Sequence, residues 1–133
     1  MERKFSEVRV WVNGTFDVLH IGHIKLFEFA STLGKVRVGI DTDDRVKRLK
    51  GESRPINNLK DRLEFLKSIK YVDSVVDFST DEELIKRIKE WNPEYLVIGS
   101  DYKDKNIIGG DLTKVIFFDR IQDFSTTKII NSK

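Results

Sequence analysis

Short runs rich in Val, Ile, Phe and Trp alternate along this chain with longer stretches whose apolar residues recur every three to four positions. Val8 to Val12 predicts a first strand, buried because four of its five residues are apolar. The turn Asn13-Gly14-Thr15 follows. Next comes a helix from Ile21 to Leu33, with Leu26, Phe27, Ala30 and Leu33 on one face and Gly34 as its stop. Val36 to Ile40 predicts a second strand, and a short helix capped by Thr42 or Asp43 then turns Val46 and Leu49 inward. Gly51 to Asn57, with Pro55, reads as a loop. Asn58 caps a helix that buries Leu59, Leu63, Leu66 and Ile69. Val72 to Phe78 predicts a third strand. Thr80 and Glu83 form a capping box at the head of a helix burying Leu84, Ile88 and Trp91. Tyr95 to Ile98 and Val115 to Phe118 complete the strands, and Ser125-Thr126-Thr127 opens a short last helix.

Strands alternating with helices predict βαβ units. The expected architecture is α/β, a Rossmann-like doubly wound sandwich with a five-stranded, mostly parallel sheet, in one domain over residues 1–133. Such sheets bind ligands beyond the carboxyl ends of their strands, where strand order reverses. The unusual polar segments fall at those ends: 13–23, 41–54, 99–110 and 124–128.

Composition narrows the chemistry. The chain has 133 residues with 24 basic and 22 acidic side chains, interspersed rather than run together. A pI of ≈ 8.8 without a one-sided basic patch argues against a nucleic-acid partner. No Cys is present, which excludes disulfides, thiolate nucleophiles and Cys-based metal sites. No apolar run reaches membrane length and no signal-like segment opens the chain, so a soluble cytoplasmic protein without a membrane partner is expected.

Both histidines lie in Asn13-Gly-Thr-Phe-Asp-Val-Leu-His20-Ile-Gly-His23, where the first strand hands over to a helix. At i and i+3 the two rings can point the same way. Gly22 between them would let a phosphate approach the backbone, and the N–H groups of the first turn would add positive potential. That combination suits negative charge building on a phosphoryl oxygen. Zinc is a poor fit, since no further ligand of the right type lies nearby. Gly14 permits close backbone approach, and the hydroxyl and N–H of Thr15 could donate to a phosphate. Asp17 cannot bind phosphate; it either orients a His or holds the turn, and Phe16 reads as packing. Lys47, Arg48 and Lys50, followed by Gly51 and Arg54, form either a solvated face or a neutralising surface for polyphosphate, with Lys47 and Lys50 the favoured pair. Arg62 lies off the apolar face of its helix and by itself reads as a surface residue. Ser125-Thr126-Thr127-Lys128 is either an ordinary N-cap or a second anion cradle.

Taken together, Gly14-Thr-Phe-Asp-Val-Leu-His20-Ile-Gly-His23, Arg48-Leu-Lys-Gly-Glu-Ser-Arg-Pro55, Asp61-Arg62, Gly99-Ser-Asp-Tyr102 and Ser125-Thr-Thr-Lys128 resemble the H-x-G-H nucleotidyltransferases, in their cytidylyltransferase-like branch. The likeness runs from Val8 to Ile130 in the family's order. It implies in-line attack by an acceptor phosphate on the α-phosphorus of a nucleoside triphosphate, with Mg²⁺ carried on the triphosphate and pyrophosphate leaving. It also implies roles. His20 and His23 contact the phosphates with Thr15 in support. Lys50 and Lys47 hold acceptor or triphosphate oxygens, and Arg62, Ser125, Thr126 and Thr127 grip the nucleotide phosphates. Gly99 and Asp101 belong to the nucleotide-binding segment. A homodimer is the family's common assembly.

Two relatives compete over the substrates. Arg48-Leu-Lys-Gly-Glu-Ser-Arg-Pro55 and Asp101-Tyr-Lys-Asp-Lys-Asn-Ile-Ile-Gly109 resemble the heptose-1-phosphate adenylyltransferases of lipopolysaccharide synthesis, which use ATP. The glycerol-3-phosphate cytidylyltransferases, which use CTP, share Arg120 and the final hydroxyls but depart at Ile121-Gln-Asp-Phe124. The heptose type is the expectation. A nucleotide-binding regulatory module without turnover is the rival from another class.

Overall fold

The protein is described here by a computed structural model covering residues 7–99 and 107–118 in full and 129–131 along the backbone. Strand β1 (Arg9–Gly14) leads into α1 (Ile21–Leu33), and β2 (Lys35–Asp41) into α2 (Asp43–Lys50) and α3 (Leu59–Lys67). Then come β3 (Ser74–Phe78), α4 (Asp81–Trp91), β4 (Tyr95–Gly99), a 3₁₀ turn at Gly110–Leu112, β5 (Lys114–Phe118) and β6 (Ile129–Asn131). The sheet order is β3-β2-β1-β4-β5-β6. The first five pair in parallel, and β6 joins β5 antiparallel with Phe117 opposite Ile130. The expected five-stranded parallel core is present. The sixth strand replaces the helix expected after Thr127 at residues 129–131, where a free edge on β5 offers a ladder that a helix would leave unpaired.

Side-chain alternation along β1 divides the interior. Val10 and Val12 face α1 and α3 and pack with Leu26, Phe27, Ala30, Val38, Leu66 and Val97. Trp11 faces the other way, into a second cluster with Phe78, Leu84, Ile88, Leu96 and Phe117 beneath α4. Helices therefore cover both faces, as right-handed crossovers in opposite directions from β1 require. Trp11 is fully buried, and it lies so close to β2 that a Cβ on Gly39 would stand 2.4 Å from its ring. Only glycine fits there.

Local expectations are met with small departures. Asn58, Thr42 and Thr80 all cap their helices through side-chain oxygens. The carboxylate of Glu83, however, accepts from the Ser79 N–H at 2.6 Å, one residue before the cap. Strand β3 starts at Ser74 rather than Val72, because Asp73 turns its carboxylate onto the Val36 N–H at 2.8 Å. Leu49 is not inward but 62% exposed. Helix α2 has only eight residues and buries Arg45 and Val46, which leaves Leu49 at the edge of a cavity.

The central crevice has a simple cause. Strand β1 pairs with β2 as far as Gly14, but with β4 only at Val10 and Trp11. Beyond that point β1 and β4 diverge, and the sheet opens where its strand order reverses.

Candidate functional site

Two cavities of ≈ 230 Å³ each flank the crevice. They share Asn13, Gly14, Thr15, Lys50 and Ile98. The first is completed by Phe16, Asp17, His23, Arg54 and Gly99. The second is completed by Asp41, Arg45, Leu49, Phe78, Leu84 and Ile107. Lys50 therefore stands at the boundary, and it has no ion-pair partner among the described residues.

The two histidines cap α1 reciprocally. His20 is the N-cap residue, and its Nδ1 accepts from the Gly22 N–H at 3.0 Å, while His23 Nδ1 accepts from the His20 N–H at 3.1 Å. Their ring centroids are 4.0 Å apart, and the edge of Phe16 meets the His23 ring at 5.4 Å. Because Nδ1 is the acceptor on both rings, each neutral imidazole carries its proton on Nε2. The pair is thus a set of Nε2 donors whose tautomer the helix start decides. His23 lines the first cavity, and His20 is exposed beside it.

This arrangement revises the expected role of Gly22. It is buried and its N–H is spent on His20, so the first turn of α1 is not an open anion cradle. Thr15 is revised in the same way. Its hydroxyl donates to Asp41 Oδ2 at 2.8 Å. A hydroxyl has one proton, so in this arrangement the Thr15 side chain has none left to donate to a phosphate.

Asp17 holds the turn and does not touch either histidine. Its carboxylate accepts from the N–H groups of Ile56 at 2.7 Å and Asn57 at 2.8 Å, and from Arg54 Nε at 3.2 Å. Burial pushes this carboxyl up, but the Asn57 and Ile56 N–H groups and the Arg54 guanidinium outweigh it and hold it below the usual carboxylate value. Phe16 is packing, as expected: it is buried against Phe27 and adopts φ 50° in the tight turn after β1.

Arg62 is the largest correction. It is 0% exposed. Its Nε donates to the Asn57 carbonyl at 3.0 Å, and Nη1 to the carbonyls of Thr15 at 3.1 Å and Asp41 at 2.7 Å. Nη2 pairs with Asp43 at 2.6 Å. The guanidinium ties the ends of β1 and β2 to α2 and to the loop before α3, and it lies outside both cavities. Every nitrogen is engaged with protein and the side chain is fully buried, so in this arrangement Arg62 presents no surface to a phosphate. Lys47 is also outside both cavities: it is exposed on α2, whereas Lys50, one turn on, reaches them. Asp101, Ser125, Thr126 and Thr127 lie outside the described residues.

The structure adds residues that the sequence reading passed over. Asp41 and Arg45 are both 8% exposed and paired at 2.9 Å, with Arg45 also meeting Asp81 at 2.9 Å. Each cavity carboxylate thus has its own arginine, Asp17 with Arg54 and Asp41 with Arg45. Lys50 and His23 bring further donor groups to the crevice, Lys50 on both cavities and His23 on the first. An i,i+4 Asp-Arg spacing at a strand end was the only signal for Asp41 and Arg45.

Comparison with known proteins places the chain in a family. The family model described as cytidylyltransferase-like matches residues 11–132. The protein named "Bifunctional protein HldE" from Campylobacter jejuni subsp. jejuni serotype O:6 is 48% identical over 125 residues, which is 91% of this chain and 26% of that protein. The protein of the same name from Helicobacter hepaticus is 46% identical over 127 residues, 92% of this chain and 26% of that one. The chain spans about a quarter of the length of the curated relatives it matches. Among solved structures, the lipopolysaccharide core biosynthesis protein from Thermoplasma volcanium GSS1 is similar, with TM-score 0.64 and 27% identity over 79% of this chain and 82% of that one. Among the described residues no helix is long and apolar enough to cross a membrane.

Proposed function

The chain belongs to the cytidylyltransferase-like family of nucleotidyltransferases, and from that premise we propose that it joins a nucleoside monophosphate to a small phosphorylated sugar. An oxygen of the acceptor phosphate attacks the α-phosphorus of the triphosphate, the new P–O bond forms in line, and the bond to the β-phosphate bridging oxygen breaks. Pyrophosphate leaves, and no covalent enzyme intermediate is needed. Mg²⁺ enters with the triphosphate as part of the substrate.

The observation that carries this reading is the pair of imidazoles whose Nε2 donors are set by the helix cap, beside Lys50 at the boundary of two cavities. Donors preset before the reaction stabilise charge that develops on phosphoryl oxygens without reorganising at the moment of transfer. The first cavity, with His23, Lys50 and Arg54, suits the triphosphate. The acceptor then lies across the boundary, with its phosphate against Lys50.

Within the class, we assign ATP as the nucleotide and D-glycero-D-manno-heptose 1-phosphate as the acceptor. The Arg48-Leu-Lys-Gly-Glu-Ser-Arg-Pro55 and Asp101-to-Gly109 patterns support this, as do the relatives named HldE and the structural relative named for lipopolysaccharide core biosynthesis. Mg²⁺, a cytoplasmic location and a homodimer belong to the same proposal and rest on family likeness. A pyrophosphate-release screen tests it, crossing ATP and CTP with heptose 1-phosphate, glycerol 3-phosphate, phosphocholine and phosphoethanolamine. Turnover confined to ATP with the heptose phosphate is expected. Turnover with CTP and glycerol 3-phosphate would reassign the substrates, and nucleotide binding without pyrophosphate release would remove the enzyme reading.

A further inference from the structure

The geometry points to Asn13 as the residue that reads hydroxyl groups of the acceptor in the second cavity, held in its donating orientation by the buried indole of Trp11. The inference rests on the transfer reaction proposed above and adds a specificity residue to it.

Trp11 Nε1 donates to Asn13 Oδ1 at 2.8 Å. An indole N–H is a donor only, so the amide has one arrangement: oxygen towards Trp11, Nδ2 away. Trp11 itself has no freedom to move, being fully buried against Gly39 in the α4-side core. Residues 11 and 13 share a face of β1. That is the face of Phe78, Leu84 and Ile98, which line the second cavity together with Asn13. Asn13 Nδ2 has no protein partner among the described residues.

The rest of the cavity complements that donor. Asp41 lines it, with one bond received on each carboxylate oxygen, from Thr15 on Oδ2 and Arg45 on Oδ1. Each oxygen keeps capacity for another donor. Leu49, Phe78, Leu84, Ile98 and Ile107 supply apolar walls. An amide donor, a carboxylate acceptor and apolar walls suit a carbon skeleton bearing hydroxyls. Each hydroxyl both accepts and donates, while C–H faces pack on the walls. The broader apolar lining of the second cavity suits the polyol body of the acceptor, and the first cavity, with His23 and Lys50, suits the phosphates.

The test is steady-state kinetics of Asn13→Asp with the substrate pair that turns over in the screen. Aspartate keeps an oxygen for Trp11 and replaces the amide donor by a negative oxygen. A donor lost to an unfavourable acceptor predicts an acceptor KM raised by about 20-fold or more, and raised by a larger factor than the nucleotide KM, since Asn13 also borders the first cavity. Trp11→Phe removes the N–H that orients the amide, and should raise the acceptor KM by a smaller factor of about 3–10 while kcat changes less. If Trp11→Phe does not fold, Asn13→Asp decides alone. A nucleotide KM raised as much as or more than the acceptor KM would set the amide against the nucleotide and overturn the inference, as would no change in either. If the wild-type protein turns over no pair, calorimetric titration with heptose 1-phosphate separates the two readings. Binding by the wild type but not by Asn13→Asp sustains this inference without the reaction, and no binding by either overturns it.

Discussion

His20 and His23 cap one another's backbone at the start of α1, through Nδ1 contacts of 3.0 and 3.1 Å that leave Nε2 on each ring as the donor. One interaction starts the helix and also selects the tautomer that the proposed transfer reaction would use. A mutation at either position therefore has two effects that must be separated.

Two substitutions at position 20 separate them. His20→Ala should lose about 1 kcal/mol of stability with the cap and at least about 100-fold in turnover. His20→Ser should regain most of the cap energy, because serine is a good N-cap residue, and regain none of the turnover. Denaturant midpoints beside pyrophosphate-release rates check this; turnover restored by serine would reduce His20 to a helix cap.

Lys50 and Lys47 should part company. Lys50 lines both cavities and Lys47 neither. Loss of one charge-assisted hydrogen bond predicts a fall in kcat/KM of about 10–100-fold for Lys50→Met. Lys47→Met should stay within about threefold of wild type. Equal losses would show that α2 presents both lysines to the substrates.

Arg62 should behave as a structural clamp. Its removal leaves the Thr15, Asp41 and Asn57 carbonyls and the Asp43 carboxylate without their donor. Breaking a buried charged network of this kind costs about 3–5 kcal/mol, so Arg62→Met should unfold at far lower denaturant. Arg62→Lys should rescue little, because one ammonium cannot span four acceptors on separate elements. A lysine variant of normal stability with a raised nucleotide KM would return Arg62 to the phosphate site.

Asp17 links stability to pH. Its folded-state carboxyl is held below the ordinary value of 3.8 by the Asn57 and Ile56 N–H groups and by Arg54, which together outweigh its burial. A depressed folded value means that the stabilisation is fully present above the unfolded value and disappears as pH falls through the folded one. Asp17→Asn should therefore lose about 1–3 kcal/mol at neutral pH. The gap to wild type should close in acid below 3.8. Unfolding curves from pH 7 to pH 2 measure it, and a pH-independent gap would contradict the assignment.

Much of the architecture was legible from local pattern, and so was the place of the crevice. Helix α1 runs over the predicted Ile21 to Leu33, and the caps at Thr42, Asn58 and Thr80 fall where side-chain oxygens precede an apolar period. These features depend on neighbours within a few residues. The Gly14-to-His23 segment reached the carboxyl end of β1 because the chain itself carries it there. His23, Lys50, Gly14, Thr15, Phe16, Asp17 and Gly99 do line the crevice.

What the residues do there was settled only by folding. Arg62 reads as a surface cation from its helix period, yet its acceptors on Thr15 and Asp41 lie 47 and 21 residues away. The Thr15 hydroxyl donates its hydrogen bond to Asp41, 26 residues on, and Asp17 closes a loop around residues 54–57. The amide of Asn13 has a direction because Trp11 is pinned against Gly39 on the next strand. The amino-acid sequence by itself determined which groups arrive at the sheet edge, since hydrophobic period and capping act over a few residues. The tertiary structure alone decided which of their protons and charges remain for a ligand, because each hydrogen bond is spent on a partner brought in from elsewhere in the chain.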